Sequence, residues 1–130
     1  MGLGICQLGC SGFFELGAVT LLAEAAACAR RSGIDDAVFV EVLEKGGGWG
    51  AALERLKPYL LRGETSGLRF SMGNALKDLG YYADMARETG SHDAAAQAMH
   101  GTLEAVCKAV DPQTLLPEIV GQLAKGALKG

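Results

Sequence analysis

The chain has 130 residues, 49% of them apolar, with 12 basic and 15 acidic side chains for a formal charge of −3. That length predicts one domain with one ordinary core, and the apolar share excludes disorder. The absence of a basic excess argues against nucleic acid and against an anionic membrane surface as partners.

No basic stretch precedes the first apolar run, so no secretory signal is expected, and a cytoplasmic location follows as the expectation. Phe13 to Cys28 is interrupted by Glu15 and Glu24, which argues against a membrane span. Cys6 and Cys10, four apart, would share a helix face and form half of a metal site. No second pair or nearby histidine completes it, since His92 and His100 lie far along the chain. The cysteines, Cys28 and Cys107 included, read as small apolar residues, and no metal is expected.

Helical periodicity runs through the chain. Cys10 to Arg31 is predicted as a long helix, apolar on several faces, with Arg30 and Arg31 in its last turn and Gly33 just beyond. A helix of that kind should be central, wrapped by others or shared with another chain. Asp35 is placed to cap a short helix over Ala37 to Lys45, which Gly46-Gly47-Gly48 stops. The β-branched core of that segment also suits a strand, but no second strand exists to pair with it. Trp49 to Leu61 follows at helical spacing, with Pro58 expected to disturb its last turn. The polar stretch from Arg62 to Arg69 reads as a loop. Ser71 to Thr89 is the clearest amphipathic helix, ended by Gly90. Ala94 to Val110 and Gln113 to Lys125 complete the set, the latter opened by Asp111-Pro112. The expected fold class is therefore all-α: a single domain over 1–130, a bundle of about six helices around a long central one.

That organisation excludes a dinucleotide-binding domain within the chain. Such a fold needs alternating strands and helices and a strand running into G-x-G-x-x-G. Gly2-Leu3-Gly4-Ile5-Cys6-Gln7 follows no strand and has Gln where the third glycine belongs.

One helix face carries unusual residues. Gly73, Lys77, Gly80 and Asp84 are spaced 4, 3 and 4 apart and line up along one side. Each interior glycine costs about 1 kcal/mol relative to alanine, so something should approach closely there. Either another helix packs tightly, or Lys77 needs open space to reach an anion.

The run Leu76-Lys77-Asp78-Leu79-Gly80-Tyr81-Tyr82-Ala83-Asp84-Met85-Ala86 resembles the LKDLGxAxDxA stretch in the C-terminal domain of β-hydroxyacid dehydrogenases, such as 3-hydroxyisobutyrate dehydrogenase and tartronate semialdehyde reductase. Leu22-Ala23-Glu24-Ala25 with Ser32-Gly33, then Val40-Glu41-Val42-Leu43 and Gly46-Gly47-Gly48, are similar to that domain's earlier segments in order and spacing. The resemblance implies a 6-phosphogluconate dehydrogenase C-terminal domain-like fold and a role in closing the cleft over NAD or NADP and in dimerisation. It implies for Lys77 a place beside the cofactor.

The start of the chain departs from the family pattern. The family's G-x-G-x-x-x-K-x-x-N-N motif would place its glycines at Gly2 and Gly4, its catalytic lysine at Leu8 and its asparagines at Ser11 and Gly12. Leucine offers neither a proton nor a charge for general acid catalysis. The expectation is a domain without hydride-transfer activity of its own, no catalytic residue, and a cofactor not bound by this chain alone. A homodimer is expected, with Phe13, Phe14, Leu16, Val19 and Leu22 as its shared surface, as is a separate dinucleotide-binding chain. The alternative is a non-catalytic dimerisation or adaptor module.

Overall fold

The computed structural model describes residues 3–127, as six α-helices and one 3-10 turn, and no β-strand among them. The helices are α1 (Leu3–Arg31), α2 (Asp36–Lys45), α3 (Ala51–Arg62), α4 (Met72–Glu88), α5 (Ala94–Ala109) and α6 (Ile119–Leu123), with the 3-10 turn at Leu116–Glu118. The all-α bundle is the architecture that the periodicity predicts. α1 packs against all five other helices, so it is the central element.

Capping sets several boundaries. The Asp35 carboxylate accepts from the Ala37 amide at the start of α2, and the Ser71 hydroxyl from the Asn74 amide at the start of α4. Gly33, Gly63 and Gly90 take positive φ just past α1, α3 and α4, a conformation only glycine adopts at low cost. Between α1 and α2, Arg30 grips Asp36 through Nε at 3.0 Å and Nη2 at 3.0 Å, while its guanidinium lies 5.8 Å from the Tyr59 ring. The hydrogen bond to Asp36 raises the Arg30 pKa, so this clamp is charged at any working pH.

One core unites the helices. Leu16, Val19, Ala23 and Ala26 of α1 meet Val40, Leu56, Leu60, Met72, Leu79, Leu103 and Val106, with Leu116, Ile119 and Val120 closing the end. Thr20, the buried polar side chain, returns its hydroxyl to the Leu16 carbonyl at 2.8 Å and needs no ligand.

Four expectations are corrected. First, α1 starts at Leu3 rather than Cys10. Part of that extra length is braced by α4, because Gly9 brings the helix against the Met85 side chain. By length and composition the Gln7–Arg31 stretch does reach what a membrane-spanning helix needs, despite Glu15 and Glu24. Its Leu16, Val19, Ala23 and Ala26 face is sealed in the protein's own core. Second, α3 starts after Trp49, which is 69% exposed, because Gly50 is extended. Third, Pro58 is carried inside α3, and the helix runs on to Arg62.

Fourth, the last helix begins at Ile119, not Gln113. The Asp111 carboxylate does accept from the Gln113 amide at 2.8 Å, but it caps a turn. The chain from Pro112 to Leu116, a turn leading through a single bridge between Leu115 and Ser71, is then held along the start of α4. The Gly73 amide donates to the Pro112 carbonyl at 2.9 Å, the Met72 amide to Thr114 at 2.8 Å, and the Leu116 amide to Phe70 at 2.7 Å.

Candidate functional site

Leu8 and the motif helix α4 come together. α1 and α4 enclose a groove of about 520 Å³, lined on one side by Leu8, Gly9, Gly12 and Phe13 and on the other by Asp78, Tyr81, Tyr82, Asp84, Met85 and Glu88. Leu8 is 76% exposed there, and Ser11 is exposed nearby on the same helix. Gly2 lies outside the described residues. The groove floor is a parallel stack of Phe13 on Tyr82, with ring centroids 4.1 Å apart. Sequence reasoning missed this aromatic pair. The signal was present, since Tyr82 stands where the quoted motif has alanine.

The electrostatics of the groove are one-sided. Asp78, Asp84 and Glu88 line it, and among the described residues no lysine or arginine does. Arg87 reaches Asp84 at 3.5 Å on the exposed surface, a weak pair at the rim.

Lys77 does not line the groove; its neighbour Asp78 does. The ammonium is exposed and makes no ion pair among the described residues. Packing explains Gly73 but not Gly80, where a side chain would meet only ordinary contact. A Cβ at Gly73 would stand 3.0 Å from the Pro112 ring, and one at Gly80 would stand 3.6 Å from the His100 imidazole. Of the two readings of that face, close approach is realised at Gly73 alone, and by the turn at Pro112 rather than by a helix.

A dinucleotide brings anionic phosphates, which favour free helix N-terminal amides or cations. At the start of α4 the amides of Met72, Gly73 and Asn74 are taken by Thr114, Pro112 and Ser71. The groove offers carboxylates. The residues present do not fit a pyrophosphate held by this chain by itself; what they add is one exposed ammonium at Lys77.

The described cysteines, Cys10, Cys28 and Cys107, form no cluster. No group of three or more His, Cys, Asp or Glu side chains capable of holding a metal occurs among the described residues. Cys10 and Cys28 are exposed, Cys107 is half-buried, and the Cys6 side chain lies outside the described residues. Burial pushes the Cys107 thiol up, which lowers its thiolate fraction near neutral pH. Iodoacetamide at pH 8 should therefore label Cys10 several-fold faster than Cys107, read by mass spectrometry of the digested protein. Equal rates would contradict the burial of Cys107.

No curated protein matches the chain. The model of a family described as NAD-binding of NADP-dependent 3-hydroxyisobutyrate dehydrogenase matches residues 15–118. The match covers most of the chain and includes Lys77, but it begins after Leu8, Ser11 and Gly12. By that match, this chain belongs to the NAD-binding family of NADP-dependent 3-hydroxyisobutyrate dehydrogenase.

Proposed function

We propose that the chain serves as the helical C-terminal domain of a β-hydroxyacid dehydrogenase-type oxidoreductase: it closes over a dinucleotide that a Rossmann domain holds, brings chains together, and transfers no hydride by itself. The observation that carries this reading is the family match over residues 15–118 on an all-helical framework. A nucleotide-binding sheet has to come from elsewhere, either another chain or sequence beyond these residues. In this reading Lys77 is the group this domain turns toward the cofactor's negative charge.

The groove supports the lack of independent activity. Oxidising a hydroxyacid requires a group that takes up the hydroxyl proton and a cation that holds the substrate carboxylate. Leu8 supplies neither, and Asp78, Asp84 and Glu88 would repel that carboxylate.

The purified chain should show no NAD- or NADP-dependent oxidation of 3-hydroxyisobutyrate or glycerate above blank, and titration calorimetry with NADPH should give no heat of binding. Turnover above blank would overturn the proposal. Mixed with a Rossmann domain that restores turnover, the Lys77→Met chain should raise the KM for the dinucleotide about tenfold at similar kcat, consistent with loss of one charge-assisted contact. An unchanged KM would remove Lys77 from the cofactor's surroundings.

A further inference from the structure

The groove between α1 and α4 has the size and lining of a small-molecule site, and its charge selects the kind of molecule. Its volume of about 520 Å³ lies in the range typical of ligand sites, and its floor is the parallel Phe13–Tyr82 stack. Tyr81, 65% exposed, adds a third ring, and Leu8 an apolar flank on the α1 side. Gly12 leaves that side open, with nothing within 4 Å of a would-be Cβ.

The charged groups are all of one sign. Asp78, Asp84 and Glu88 line the groove, and among the described residues no lysine or arginine does. Asp78 and Glu88 make no ion pair among the described residues, and Asp84 has the exposed contact with Arg87 at 3.5 Å. Carboxylates beside aromatic rings suit an organic ammonium, because the ring faces attract the cation and the carboxylates accept its N–H donors.

The carboxylates also form a row. Asp78 and Asp84 are six residues apart and Asp84 and Glu88 four, roughly 9 and 6 Å along α4. A compact cation would reach one of them at a time. A chain of ammonium groups set a few methylenes apart would reach them in series, with its methylenes on the rings.

We propose that this groove binds a linear aliphatic polyamine, its ammonium groups on Asp78, Asp84 and Glu88 and its methylenes against Tyr81 and Leu8. Arg87 yields Asp84 readily, since a pair so exposed is weak. The proposal goes beyond the reading of the chain as a dehydrogenase domain and does not depend on it. All the groove's lining residues belong to this chain, and binding needs neither dinucleotide nor hydroxyacid.

Titration calorimetry with spermidine at low ionic strength should show one molecule bound per chain. Leu8→Lys, which places an ammonium in the groove, should weaken binding about tenfold. Gln7→Lys makes the same charge change at an exposed neighbour outside the groove and should weaken it by less than about twofold. Tyr81→Ala, which alters no charge, should weaken it about fivefold. All three positions are exposed, so circular dichroism should stay unchanged. No heat of binding, equal losses from Leu8→Lys and Gln7→Lys, or a Tyr81→Ala chain that binds as tightly as the parent would overturn the proposal. So would displacement of spermidine by an equal concentration of magnesium ion, the mark of a general acidic patch. Tighter binding of tetralysine than of spermidine would overturn it in favour of a basic protein segment.

Discussion

Leu16→Glu should unfold the chain outright. Leu16 was a candidate for a shared surface on sequence grounds, yet it is only 9% exposed and lies in the core among helices of its own chain. The substitution removes about 2–3 kcal/mol of apolar burial. It also places a carboxyl group where no partner awaits it, at a further cost of several kcal/mol. Together these approach the 5–15 kcal/mol total stability of an ordinary domain. Circular dichroism at 25 °C should show most of the helical signal lost. Leu21→Glu, one turn and a residue further along the same helix, should keep it. A folded Leu16→Glu chain would mean that the α1 faces are assigned the wrong way round.

The second large effect is expected at Gly67, in the loop between α3 and α4. A Cβ built there would run into the Arg55 carbonyl oxygen and stand 3.1 Å from the Pro58 ring and 3.2 Å from the Arg55 carbonyl carbon. Backbone and a proline ring cannot swing aside as a methionine or leucine side chain can. Gly67→Ala should therefore cost about 3 kcal/mol, at the upper end for overpacking, seen as a lower urea midpoint at unchanged slope. Gly12 is the control. It lies inside α1 with nothing within 4 Å of its would-be Cβ, so Gly12→Ala should stabilise by up to about 1 kcal/mol. Equal effects at the two positions would show that the loop can retreat from α3.

The contrast between these glycines marks how far local reasoning reaches. Both are glycines at sites where the sequence offers no distinguishing neighbour. What separates them is a carbonyl oxygen twelve residues away, brought close by the way the loop folds back on α3. Lys77 makes the same point. Its flanking glycines read from sequence as an invitation either to a ligand or to a neighbour. Only the fold reveals Pro112, distant in sequence, as the close neighbour at Gly73, while at Gly80 it leaves room for a side chain.

What the sequence determined by itself was the class of structure and the family. Apolar residues at helical spacing, caps at Asp35 and Ser71, and glycines at 33, 63 and 90 are local devices, and each acts within a turn or two of its own position. The K-D-L-G segment carried the kinship because it is contiguous. The tertiary structure decided the rest. It converted the expected start of the last helix into a turn strapped across the start of α4, since the first amides of α4 needed acceptors and Pro112 and Thr114 could supply them. It carried Pro58 inside a helix. It also chose which side of α1 faces the core. An amphipathic helix announces its buried face, but one apolar all round does not; its orientation is fixed by which neighbours fill the space against it. Here Leu16, Val19, Ala23 and Ala26 fit that space, and Phe14 and Leu21 were left outside.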